Sequence, residues 1–157
     1  MKLHEDEIRI PAPDGEIRTV VISPVVSVPA GAGPRPGVLL YTDIFQITES
    51  TLRTARRLAS YGVAVFVPEI YPHGELAGVA LEFDDAGSLA QVGSIQGRMM
   101  IVFGSQDPHV PAAARLQVVS ALYAGGEHAF MRDIGARHDP VLTDLALAQA
   151  VSFFTGR

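Results

Sequence analysis

The sequence contains no cysteine. Disulfides, thiolate metal sites and a cysteine nucleophile are therefore excluded. Clusters of basic residues are lacking too, and the net charge is −5. A surface that tracks phosphates is not expected, so nucleic acid drops out as a partner. No apolar run approaches the length of a membrane span. The opening MKLHEDEIRI holds acids where a signal peptide needs an apolar stretch. Together these point to a cytoplasmic chain with no membrane partner. There is no HExxH or His-x-His pair, so no metal is expected, and no GxGxxG or Walker loop, so nucleotide binding has no support. No cofactor is implied. Internal repeats and low-complexity tracts are absent.

What is present is a core. Apolar residues make up 48% of 157 residues and charged residues 18%. This is too apolar for a disordered chain, and the length suits one domain spanning 1–157. Ile8 and Ile10 alternate with polar neighbours ahead of a turn cluster at Pro11–Gly15, and Glu16 to Ile22 reads as the returning strand of a hairpin. A loop rich in Pro and Gly over Pro29–Gly37 leads into Val38–Tyr41, a continuous apolar run typical of a strand buried on both faces. Thr48, Ser50 and Thr51 can cap a helix reaching about Tyr61, with Leu52, Ala55, Leu58 and Ala59 on its inner stripe. Arg53, Arg56 and Arg57 fall on the other faces, and Gly62 suits the residue past the helix end. Val63–Val67 is a second buried-type strand, stopped by Pro68; strand, helix and strand make a βαβ unit.

Residues Tyr71 to Gly97 show no sustained period and read as loop, with a short helix near Ser88–Val92. Met99–Phe103 is the next buried strand. Pro111–Tyr123 reads as an amphipathic helix with Ala114, Val118, Ala121 and Leu122 inward, and Pro140–Phe154 as the last helix. The fold class is α/β, with a mostly parallel sheet flanked by helices. Val38–Tyr41, Val63–Val67 and Met99–Phe103 are expected to run parallel in one sheet.

Three residues stand where chemistry is expected. Asp107, in Gly104-Ser105-Gln106-Asp107-Pro108-His109, follows a buried strand, at the functional edge of an open α/β sheet. There it can orient a histidine. It can equally cap the helix at Pro111, and on spacing alone capping weighs slightly more. His128, on the loop Gly125-Gly126-Glu127-His128, is well placed as a general base, although a lone loop histidine is more often ordinary. His138, beside Asp139 and Pro140, reads as the start of the last helix. Asp43 follows Val38–Tyr41 at another strand end, where a cap or surface turn is the alternative. A nucleophile on a strand-to-helix elbow needs G-x-[SC]-x-G. The nearest window is Gly93-Ser94-Ile95-Gln96-Gly97, whose middle residue, Ile95, cannot attack, and Ser94 is off by one.

Taken together, these phrases resemble the dienelactone hydrolase family of α/β-hydrolases. The similarity runs from Gly37-Val38-Leu39-Leu40-Tyr41-Thr42-Asp43-Ile44-Phe45-Gln46 through the helix to Val67-Pro68-Glu69-Ile70-Tyr71. It resumes at Ser88-Leu89-Ala90 and at Met100–Pro111, and ends with His128-Ala129-Phe130-Met131-Arg132-Asp133 and the last helix. The resemblance implies hydrolysis of a carboxylic ester or lactone, with a small-molecule substrate. It puts the triad acid at Asp107, the general base at His128, the carboxylate that pairs with the resting nucleophile at Asp43, and an oxyanion-hole backbone N–H at Ile44. More loosely, it puts Arg132 against an acidic substrate.

The chain departs from the family pattern in two places. A long central segment carrying the nucleophile is expected between stretches like Glu82–Gly87 and Ser88–Gly97, which here are joined directly. A shorter piece bearing the last strand is missing between Tyr123 and His128. The implied fold is a shortened, truncated α/β-hydrolase-like domain with an acid, a base and part of an oxyanion hole, but no nucleophile. Impaired catalysis follows, or alternatively a non-catalytic remnant or small-molecule binding module. Unpaired sheet edges would also favour homo-oligomers.

Overall fold

The computed structural model describes residues 1–13, 15–26, 36–42, 45–69, 102–106, 108 and 121–156. The chain forms two compact units, residues 1–77 with 154–157 and residues 78–153.

In the first unit, β1 (Leu3–Ala12) and β2 (Gly15–Pro24) form an antiparallel hairpin whose register closes at Ala12 and Gly15. The expected turn cluster is thus tighter than its composition suggests. Gly15 takes φ +138°, which a side chain would resist. β2 pairs antiparallel with β4 (Ala64–Pro68), and β4 pairs parallel with β3 (Gly37–Leu39), giving the order β1-β2-β4-β3. The expected βαβ unit is present, with α1 (Glu49–Ala59) between the parallel strands. The sheet itself is mixed, because the N-terminal hairpin joins it antiparallel.

α1 begins where the hydroxyls predict. Thr48 is extended, and its Oγ1 accepts from the Thr51 N–H at 3.3 Å. Its last turn closes through Ser60 N–H to Arg56 O, and Gly62 follows at φ +99°. The helix packs on β2 and β4. Ala55, Leu58 and Ala59 are buried with Val20, Ile22, Val38, Val63, Val65 and Val67. Leu52, expected on the inner stripe, is only half-buried, and Ser50 takes a buried place instead. Arg56 turns back to β1: its guanidinium bonds both oxygens of Glu5 and reaches Glu49 at 3.0 Å. That contact ties the helix to the hairpin.

β3 departs from the sequence reading. Val38 is buried, but Leu39 is 52% and Tyr41 64% exposed. A continuous apolar run therefore does not mean burial on both faces here. Among the described residues β3 pairs only with β4, at the end of the strand order.

In the second unit, β5 (Val102–Gly104) pairs parallel with β6 (Ala121–Tyr123). This corrects the reading of Pro111–Tyr123 as one helix, since its last three residues are a strand; positions 111–120 lie outside the described residues. The third expected parallel strand accordingly finds its partner in β6, rather than in the sheet of β3 and β4. α2 (Pro140–Thr155) matches the expected last helix, with Thr143, Ala146 and Leu147 buried. Asp139 caps it through Oδ1, which accepts from the Leu142 N–H at 2.9 Å, and Pro140 fills the first turn, where no N–H is needed. No helix among the described residues is long and apolar enough to cross a membrane.

The packing and the ion pair give different expectations. Ile22 is fully buried, so Ile22→Ala should cost roughly 2–5 kcal/mol in a denaturant melt. Glu5 is partly exposed, and Glu5→Gln should cost at most about 1 kcal/mol. The Arg56 hydrogen bond holds the Glu5 carboxyl below its ordinary value of 4.5. Its contribution is therefore present above that value and is lost as pH falls through the lowered one. The gap between wild type and Glu5→Gln should close in acid, as read from melts at successive pH.

Candidate functional site

The parallel pair β5–β6 ends in two loops that are joined to one another. Ser105 N–H donates to Tyr123 O at 3.0 Å, and Gln106 N–H donates to Gly126 O at 2.7 Å. Gly125 N–H donates to Ser105 Oγ at 2.9 Å. The loop that leads into Asp107 is thereby laced onto the loop that leads into His128. Glycine at two positions makes this possible. A Cβ on Gly104 would lie 2.2 Å from Gly126 O, and a Cβ on Gly126 would lie 3.1 Å from the Gly104 Cα.

His128 follows two residues after Gly126 and is half-buried. Its neighbour Ala129 has φ +62°, a conformation non-glycine residues avoid. Such strain survives only where the surroundings hold it. Here they do: Phe130 is buried, its ring lies 5.5 Å from that of Tyr123, and its carbonyl accepts from Asp139 N–H at 3.0 Å and from the Thr143 hydroxyl at 3.2 Å. His138 Nδ1 lies 3.1 Å from the same oxygen. This agrees with the reading of His138 as part of the helix start: its ring reaches the oxygen that Asp139 and Thr143 share, while its N–H donates to Gly135 O at 3.4 Å in the turn before. Tyr123 donates its hydroxyl to Gln149 on α2, and burial pushes its pKa up. Arg132 is half-buried, and its N–H donates to Ala129 O at 2.9 Å.

Asp107, Asp43 and Ile44 lie outside the described residues. Their flanks do not. Thr42, just before Asp43, has a hydroxyl that is buried and without a hydrogen-bond partner. Leaving a polar group so costs about 1–3 kcal/mol. Sequence reasoning passed over Thr42, because a threonine after a strand carries no signal of its own. Gln46, beyond Ile44, has φ +62°. The non-glycine residues with positive φ among the described residues thus stand on the segments after Ile44 and after His128. No group of three or more His, Asp or Glu suited to a metal occurs among the described residues.

Residues 22–94 match the model of the dienelactone hydrolase family. The chain carries a dienelactone hydrolase family segment. A Saccharomyces cerevisiae protein bearing the name carboxymethylenebutenolidase is 42% identical over 53 residues, which is 34% of this chain and 19% of the relative. A Methylorubrum extorquens protein bearing that name is 37% identical over 65 residues, 41% of this chain and 21% of the relative. The chain thus matches about a fifth of the length of these curated relatives. The fold is dienelactone-hydrolase-like as well. A Klebsiella pneumoniae structure described as a dienelactone hydrolase superposes with a TM-score of 0.70 at 15% identity, covering 100% of both chains. A dienelactone-hydrolase-like promiscuous phosphotriesterase from metagenomic libraries gives 0.65 at 13% identity, covering 98% of each.

The lacing predicts unequal tolerance of two glycines. Gly104→Ala would drive a methyl into the Gly126 carbonyl and should cost about 3 kcal/mol or more. Gly125, at φ +81°, has open space around it, so Gly125→Ala should cost only about 1–2 kcal/mol of backbone strain. Thermal melts of the two variants, side by side, check the order.

Proposed function

We propose that this chain is built for the chemistry of carboxylic ester or lactone hydrolysis. Asp107 orients His128, His128 serves as general base, Asp43 is the carboxylate facing the nucleophile position, and the Ile44 N–H is one oxyanion donor. Arg132 would meet an acidic substrate. The observation that carries this reading is the hydrogen-bonded lacing of the loop before Asp107 to the loop before His128. It supports a shared edge for the two residues, as an acid–base pair requires. A small ester or lactone in a cytoplasmic setting completes the reading.

The nucleophile is the missing part. The window Gly93–Gly97 offers Ile95 where an attacking atom should stand. Ser105 is close to the pair in sequence, but its Oγ accepts from Gly125 N–H and braces the loop. We therefore read the fold as a shortened hydrolase with impaired turnover. Without the elbow, the remaining groups would retain roughly 10³-fold over water in a well-formed site. The same lack of an elbow favours a second reading, a small-molecule binding module that holds an ester without cleaving it.

Hydrolysis of nitrophenyl acetate by the 157-residue chain should stay close to the buffer rate, and a fluorophosphonate probe should leave the protein mass unchanged. Stoichiometric labelling at Ser94 or Ser105 would reveal a relocated nucleophile and overturn the impaired reading. Saturable ester binding without turnover would select the binding module.

A further inference from the structure

We propose that the outer edge of β1 pairs antiparallel with β1 of a second copy, about a two-fold axis at Ile8. The backbone sets which groups are available. Val25 N–H donates to Lys2 O, so Lys2 and Val25 form a hydrogen-bonded pair in the register that joins β1 to β2. Hydrogen-bonded pairs alternate along an antiparallel ladder. His4, Asp6, Ile8 and Ile10 therefore bond to β2, while Leu3, Glu5, Glu7 and Arg9 direct their N–H and C=O groups outward; the Glu7 N–H rests on Asp6 Oδ1 at 2.9 Å and exchanges that partner for the incoming strand. Pro11 also falls on the outward set; its missing N–H spares the hairpin but confines the proposed ladder to Glu7 and Arg9 at its centre, with a single bond from Glu5 N–H to Pro11 C=O at each end. β1 is ten residues long, and no strand among those described covers its outer side.

Exposed edges are usually blunted by charge. Here the charges select one partner. Arg9 stands directly opposite Arg18 in the hairpin register, like facing like. Arg18 has two carboxylates, Glu7 at 2.8 Å and Glu69 at 3.7 Å. Arg9 has none among the described residues. Centring a second β1 on Ile8 brings Glu7 of that copy opposite Arg9, and Arg9 of that copy opposite Glu7. Both fall on outward-facing, hydrogen-bonding positions. Shifting the axis by one residue to Glu7 would instead set two glutamates face to face.

The apolar residues agree with the same axis. Ile8 and Ile10 are 37% and 39% exposed. In the proposed register Ile8 meets its own copy across the axis, and Ile10 of each strand lies diagonal to Ile8 of the other, within reach of side-chain packing. The pairing covers both isoleucines and supplies the missing carboxylate in one step.

The absence of cysteine makes the register directly readable. Ile8→Cys would place two thiols at a non-hydrogen-bonded pair with Cα atoms about 4.5 Å apart, within the reach of a disulfide. Ile10→Cys would hold them about 13 Å apart. Mild oxidation should convert Ile8→Cys largely to a covalent dimer and Ile10→Cys several-fold less. Arg9→Glu should weaken association at least tenfold by light scattering. Its melting temperature, measured at low protein concentration, should hold or rise, because the new carboxylate faces Arg18. A wild-type chain that stays monomeric at high concentration would overturn the proposal. So would equal cross-linking at both positions, or an Arg9→Glu dimer as tight as wild type.

Discussion

Where β5 and β6 end, Gly104 and Gly126 approach so closely that no side chain fits between them. The constraint is steric, and what it permits is electrostatic. With the backbones in contact, Ser105 and Gln106 place their N–H groups on carbonyls of the opposite loop, and a third bond runs back to the Ser105 hydroxyl. The residues that the family resemblance makes an acid and a base leave these two loops. What joins the two loops is main-chain contact and one serine hydroxyl rather than long, flexible side chains. A three-residue strand pair would be marginal alone; the loops and the buried Phe130, held by Asp139 and Thr143, extend its support toward α2.

Much of the first unit was legible in the sequence because its signals are local. Thr48 caps, Gly62 follows the helix end, and Ala55, Leu58 and Ala59 fall on one stripe; none of these needs a distant partner. The hairpin is legible for the same reason. The errors arise where tertiary context decides. Ala121–Tyr123 fits a helical stripe with Ala114 and Val118, but becomes a strand because β5 supplies a parallel partner. Leu39 and Tyr41 look like core, yet exposure depends on whether another strand stands beside β3. The mixed character of the sheet comes from adding the hairpin, whose antiparallel junction with β4 leaves no mark on either segment.

The candidate site was legible in part and for a different reason. Asp107 stands out by its place after a strand, His128 by its Gly-rich loop ahead of the last helix, and both by family resemblance, whereas spacing alone left capping and ordinary loop roles open. The unusual features of the described segments are conformational: in the first unit the left-handed backbone at Gln46 and the buried Thr42 hydroxyl, in the second the left-handed backbone at Ala129. Alanine, glutamine and threonine are not marked residues, so composition and period pass over them. The glycines at 104 and 126 were visible as letters, but their purpose is a contact between segments far apart in sequence.

The proposed pairing of Asp107 with His128 requires that the two share one edge, held together by their loops. A double variant, Asp107→Cys with His128→Cys, introduces the only two thiols in the chain. Treated at low protein concentration with a short bis-maleimide, it should gain one reagent mass and lose both thiols within a single chain, in good yield. Two reagent masses on each chain, with no internal bridge under conditions where the single variants react fully, would contradict the claim.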